Sequence, residues 1–461
     1  LYEVKKAHEF INFKEKGISS NDEIRVLVEN LYDFTDLNIF NITAKIKADG
    51  KVLKIIPMET LSVETHTGKL IKIPLGDVIY KVNTEYFVEI SATTKNAWGL
   101  LPAGFEVAHE QIILGTKYKK ESVTVENGKD LYVKKEGQNT IVSNADLELV
   151  FNEAEGRLTS YKFKNNELLK NRKGPKPNFW RAVTDNDFGN RMQVKNIEWK
   201  KASLFSEVTK VVSTQVSANE VELKVIYKLP GVETRFTSLY TINGNGIVRI
   251  ENTLGTTDYK GDLPRIGMRM QLPKQYSEMT YFGRGPWENY QDRKHSAFVD
   301  LYNSTVSEQY VPYIRPSENG YKTEVRWISL MNKKGSGLMV VSEDTKNGLG
   351  IGALHMPNED FDTTPGLNYG GSTTVDEKYQ IDEIPEVNSA KHTTDIKEQD
   401  LVQLNIDLVQ RGVGGDDSWY AKPQEKYLVN GAIEHNYSFY LIPIENGSKE
   451  LFIELSKQFG Q

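Results

Sequence analysis

The strongest constraint on this chain is how far strand patterning runs without a helical period. From residue 116 almost to the C-terminus, short alternating runs follow one another, broken by glycine, asparagine and aspartate turns. Side chains on a strand point alternately to its two faces, so a period of two marks a strand with one face buried. Residues 147–151 and 158–163 read this way, with a turn at Asn165 and Asn166, and so do residues 221–225. Residues 237–242 and 247–250 flank a hairpin turn, Asn243-Gly244-Asn245-Gly246. Residues 338–341 and 451–455 read as core strands, and the one helical patch falls at about 190–204. A stretch this long, rich in strands and poor in helices, is expected to fold as one large antiparallel β-sandwich over residues 116–461.

Residues 1–115 read as a smaller all-β unit. Residues 23–31 alternate, residues 42–47 and 52–55 flank an Asp49-Gly50 hairpin turn, and residues 86–90 form a further strand before a loop carrying Trp98. Short strands at this spacing point to an immunoglobulin-like sandwich. The polar, Lys/Glu-rich stretch at 116–140 marks the boundary.

Charge and composition narrow the function. The 461 residues carry a net charge of -6, with no basic cluster interleaved with aromatics, which argues against nucleic acid. No apolar run approaches the ~18–20 residues of a membrane-spanning helix, so no membrane partner is expected. The absence of Cys removes disulfides, thiolate nucleophiles and Cys-ligated metals, and fits a bacterial periplasmic or cytoplasmic protein, the periplasm being favoured. The chain opens at Leu1-Tyr2-Glu3 without an initiator Met and is expected to be part of a longer polypeptide.

Four stretches concentrate chemistry-bearing residues. Residues 411–419 hold Gly412, Gly414 and Gly415, then Asp416, Asp417, Ser418 and Trp419. Such glycine density lets a backbone turn tightly and pass close to a neighbour. The Trp offers a flat apolar face with one N–H, suited to a sugar ring, or else the anchor of a tight structural turn. Residues 181–189 contain Asp185-x-Asp187-x-Gly189, which opens like a calcium loop but lacks the downstream bidentate Glu. The alternative is a turn network in which Arg181 pairs with a carboxylate. Residues 281–293 carry Glu288 and Asp292, readable as an acid/base pair or as an ion-pair network with Arg284, Arg293 or Arg326. Gly283 and Gly285 make no dinucleotide fingerprint, since position 288 is Glu and no helix pattern follows. Residues 310–320 form a loop stiffened by Pro312 and Pro316 that turns at Asn319-Gly320, and Trp327 beside Arg326 suggests a stacked pair. The glycine-rich run 348–352 reads as a strand approached closely by another chain segment. HExxH, P-loop and Gly-x-Ser-x-Gly motifs are absent.

In order and spacing, these motifs resemble the C-terminal region of glycoside hydrolase family 2 β-galactosidases. Residues 283–293 match G-x-G-P-x-E-N-Y-x-D-R, residues 313–320 match Y-x-x-P-S-E-N-G, residues 181–187 match R-A-x-x-D-N-D, and residues 412–419 match G-x-G-G-D-D-S-W. The resemblance implies an immunoglobulin-like linker domain followed by a "small-chain" β-supersandwich of the galactose mutarotase type. It implies the activity of a retaining β-galactosidase whose two catalytic glutamates, with Mg²⁺ and Na⁺, sit on a TIM barrel, so that no catalytic residue and no cofactor is expected within this chain. Trp419 is implied to stack on the sugar, with Asp416, Asp417 and Ser418 shaping its loop. Arg181, Asp185, Asp187, Glu288, Asp292, Arg293, Glu318, Asn319 and Arg326 are left as structural residues of the motifs. The implied partners are a β-galactoside or galactose, the barrel and further subunits of a homo-oligomer. Two other readings are a free-standing carbohydrate-binding module and a mutarotase-like aldose epimerase. The latter would draw its histidine from His295, His355, His392 or His435.

Overall fold

A computed structural model describes all residues except 19–21, 77, 79–80, 115–127, 260, 363–391, 418–419 and 461. The chain divides into two compact units, Leu1–Ser122 together with His295–Leu301, and Val123–Lys294 together with Tyr302–Gln461.

The first unit is a two-sheet antiparallel sandwich. Ile11–Ile18, Glu23–Asn30 and Gly68–Pro74 form one sheet. Lys51–Pro57, Phe40–Ala48, Tyr86–Thr94 and Glu106–Ile113 form the other, in that order. Ile24, Val26 and Val28 from the first sheet and Ala44, Ile46, Val88 and Ile90 from the second bury their side chains in one core. The alternation predicted for residues 23–31 is therefore the inward face of a strand. The Asp49-Gly50 turn has positive φ at both residues, 45° and 78°, which matches the right-handed twist of a hairpin. These features make the unit immunoglobulin-like.

The second unit holds three antiparallel sheets around one core. A five-stranded sheet runs Asn166–Glu167, Arg157–Phe163, Leu147–Asn152, Asn139–Ser143, Tyr132–Glu136. A second five-stranded sheet runs Lys176–Asn178, Arg265–Leu272, Val402–Gln410, Leu349–Leu354, Lys322–Val325. In the nine-stranded sheet the strand His435–Ile444 lies fifth, between Val248–Leu254 and Gly337–Ser342. Leu149, Met268, Leu404, Tyr240 and Leu441 bring all three sheets into the same apolar cluster. The strands Gly337–Ser342 and Leu349–Leu354 are buried at every position, so they read as continuous apolar runs without alternation.

Two local expectations differ from the structure. Residues 451–455 are helical, within Lys449–Phe459. Ser448 accepts a hydrogen bond from the Leu451 N–H and caps the helix, whose buried residues are Phe452 and Phe459, seven apart and so on one helical face. The helical patch begins earlier than residue 190. Thr184 and Asp187 form a reciprocal capping box that starts a short helix at Asp185–Gly189, followed by Met192–Lys195 and Ile197–Leu204.

Candidate functional site

The four motifs, more than two hundred residues apart at their extremes, meet in the second unit around one cleft of about 320 Å³. Thr184, Asp185 and Asn186 line it from the first motif, Tyr290 and Arg293 from the second, Tyr313, Ile314, Arg315, Ser317 and Glu318 from the third, and Val413 from the fourth. Every described lining residue belongs to a motif.

Arg181 ties the first motif to the fourth. Its guanidinium is fully buried and holds both oxygens of Asp187 through Nη2, at 2.9 and 3.0 Å. It also donates to the carbonyls of Arg411 and Gly412, at 2.6 and 2.9 Å. Burial opposes the Arg181 cation, but Asp187 outweighs it and raises the pKa. With both Asp187 oxygens engaged, the Asp-x-Asp-x-Gly stretch does not fit a cation. Among the described residues no group of three or more His, Cys, Asp or Glu is placed to hold a metal. Asp185 instead pairs with Arg315 at 2.7 Å, and the Arg315 guanidinium lies over the Phe188 ring.

Asp292 fixes the same loop from the other side. Its Oδ1 accepts from the Val413 N–H at 3.0 Å and its Oδ2 from the Gly414 N–H at 2.7 Å. A Cβ at position 412 would lie 2.4 Å from Asp292 Oδ2, so only glycine allows this approach. Asp416 and Asp417 are exposed, and Asp417 Oδ1 accepts from the Tyr420 N–H at 3.2 Å within the turn. Ser418 and Trp419 lie outside the described residues.

Glu288 joins the second and third motifs. Arg293 Nη2 donates to Glu288 Oε1 at 2.5 Å, Tyr313 donates its hydroxyl to the same oxygen, and the Gly320 N–H reaches Oε2 at 2.9 Å. Burial opposes the Arg293 cation, but Glu288 and the nearby tyrosines hold its pKa above the ordinary value. Burial, then Glu288, push the Tyr313 hydroxyl up. Asn319 bridges Ser317 O and the Val311 N–H, which sets the turn of the third motif. Arg326 is buried and donates to Glu324 O at 2.6 Å, and it is not among the cleft-lining residues. Trp327 packs against Phe452, with ring centroids 5.7 Å apart.

Beneath the cleft, Glu318 Oε1 accepts from Arg265 Nη2 at 2.6 Å and from Gln410 Nε2 at 2.8 Å, and Arg265 pairs with the buried Asp407 at 2.9 Å. Arg265, Asp407 and Gln410 escaped the sequence reading. Their only trace is a charged or amide group on an otherwise apolar strand, which announces a buried pair without naming the partner. No histidine is among the described residues lining the cleft, and the His355 Nδ1–H donates to Leu401 O at 2.7 Å in the interior.

The model of the β-galactosidase small chain matches residues 143–441, and that of β-galactosidase domain 4 matches residues 26–115. A β-galactosidase from Priestia megaterium is 29% identical over 421 residues, covering 90% of this chain and 37% of that protein. One from Streptococcus thermophilus is 26% identical over 431 residues, covering 92% and 38%. The chain therefore spans well under half the length of these relatives. Among solved structures, a galactose mutarotase-related enzyme from Lactobacillus acidophilus aligns with a TM-score of 0.35 at 8% identity, covering 67% of this chain and 98% of that one. A galactose 1-epimerase from Lactobacillus acidophilus aligns at 0.36 and 6%, covering 69% and 98%. Overlaps this loose bear on nothing in the cleft. The small-chain match spans more than half of the residues, and the chain belongs to the β-galactosidase small-chain family.

Proposed function

We propose that this chain is the non-barrel part of a retaining β-galactosidase that hydrolyses terminal β-D-galactosides. The observation that supports this most is the convergence of the four motifs on one cleft, each described lining residue being drawn from them. On this reading the loop 412–419 completes the sugar site, with Trp419 stacking on the ring and Asp416, Asp417 and Ser418 shaping the loop. A retaining mechanism uses two carboxyls roughly 5–5.5 Å apart across the glycosidic bond. Those glutamates, and the Mg²⁺ and Na⁺ sites, belong to a TIM barrel outside these residues, and contacts to the barrel and to other subunits are part of the chain's role. Glu288 and Glu318 serve the scaffold, since each is bound on at least one oxygen by a guanidinium.

The test is turnover of a chromogenic β-galactoside. The 461-residue chain is expected to show none, and a polypeptide that also carries the barrel is expected to hydrolyse it. Turnover by the chain alone, abolished by Glu288→Gln, would overturn the reading.

A further inference from the structure

The cleft holds hydrogen-bonding capacity that the protein does not use. Glu318 accepts through Oε1 alone, so Oε2 has no donor among the described residues. Arg293 donates through Nη2 alone, which leaves Nη1 and Nε. Asn186 donates through Nδ2 to Val413 O at 3.1 Å while its Oδ1 accepts nothing from the described residues, and the Ser317 hydroxyl makes no bond to them. Some other polar side chains of the same motifs are fully engaged. Asp187, Asp292, Asn289 and Asn319 use both of their polar atoms. Glu318, Arg293, Asn186 and Ser317 thus bring unused donors and acceptors to one cleft.

The chemistry of those groups selects a ligand. Arg293 and Arg315 are balanced by Asp185 and Glu318, so the described lining residues carry no net formal charge with which to concentrate an ion. A free carboxylate oxygen needs a donor, and a free guanidinium N–H needs an acceptor. Neighbouring hydroxyls on one neutral molecule supply both. Tyr313, which is only partly buried, adds aromatic surface to the same wall, suited to the C–H face of a ring. The volume of about 320 Å³ is at the small end of the roughly 300–1,000 Å³ range of ligand pockets, enough for one ring.

The geometry points to this cleft as a binding site for a single neutral pyranose, built by this chain alone. It rests on the proposed function only for the choice of a galactoside as the first probe. The experiment is calorimetric and ligand-observed NMR titration of the 461-residue chain with methyl β-D-galactopyranoside, with glucuronate as the charged probe and galactitol as the open-chain one. Saturable binding of the methyl galactoside is expected, tighter than that of glucuronate or galactitol. Glu318→Gln and Ser317→Ala are each expected to weaken it about tenfold, the equivalent of one lost hydrogen bond. Thermal melts check that each variant folds, and Asn186→Ala replaces Glu318→Gln if that variant does not. Absence of saturable binding, tighter binding of glucuronate, or binding indifferent to all cleft variants overturns the proposal. Loss of binding in Trp419→Ala alone would assign the sugar to the loop, overturning the cleft site while leaving the galactosidase reading intact. Conversely, an inactive barrel-containing polypeptide would sink that reading without touching the titration.

Discussion

Asp292 shows how one side chain can set the course of a loop. Both of its oxygens are occupied by consecutive backbone N–H groups, of Val413 and Gly414. Asp292→Asn places an NH₂ donor against one of those donors. It is expected to cost about 1–3 kcal/mol in urea denaturation and to speed amide exchange at residues 412–415, and unchanged exchange there would show that the loop is held by other means. Lys322 makes a different prediction. It is buried, its Nζ donates only to Gly320 O at 3.3 Å among the described residues, and burial lowers its pKa to about 8, with Glu288 partly opposing. Below pH 8 both folded and unfolded chains carry the charge, and the folded state bears the full cost of burying it. As pH rises from about 8 towards the ordinary lysine value, the folded state has already lost its proton while the unfolded state keeps it. This contribution therefore makes the fold more stable as pH rises through that window. Lys322→Met should gain most over wild type at pH 7, and its advantage should shrink by pH 10, as read by denaturant midpoints at the two pH values.

The elements around the cleft depend on glycines and caps that were partly legible beforehand. The run 348–352 was expected to be a strand approached closely by another chain segment, and Leu349–Leu354 is one. A Cβ on Gly350 would lie 1.6 Å from the Tyr321 hydroxyl, and Tyr321 stacks on the cleft residue Tyr290 with centroids 5.6 Å apart. Gly350→Ala is expected to destabilise the fold by about 1–3 kcal/mol through overpacking, with a lower melting temperature as the readout. Thr184→Ala removes one half of the capping box that starts Asp185–Gly189, and a loss of about 1 kcal/mol is expected in equilibrium unfolding. The run 451–455 reads as a strand in sequence because a stretch of mostly apolar residues carries both periods at once. Its cap, Ser448, and the seven-residue spacing of Phe452 and Phe459 were the helical signals in the sequence.

At the scale of the whole molecule the second unit is closed by its C-terminal strand. His435–Ile444 occupies the middle of the nine-stranded sheet and pairs along its length with Val248–Leu254 and with Gly337–Ser342. Ending the chain at residue 434 would expose two strand edges and open the apolar cluster that Phe439 and Leu441 help fill. Such a truncation is expected to leave the unit unfolded or aggregated, as judged by limited proteolysis and circular dichroism, whereas a truncation after residue 446 should lose only the terminal helix and remain folded.

By itself, the sequence determined the all-β class, most strands with one solvent-facing side, the hairpin at Asp49-Gly50 and the four motifs, because each depends on residues close together along the chain. Local sequence also left Glu288 and Asp292 open between an acid/base pair and an ion-pair network. Tertiary structure alone decided that Glu288 takes Arg293 while Asp292 takes two backbone N–H groups, and that Glu318 rests on Arg265 and Gln410. It alone decided that residues from 184 to 413 share one cleft. The reason is physical: a buried charge or amide must find a partner wherever the sheets bring one, and strand pairing joins residues whose separation along the chain carries no record of the contact.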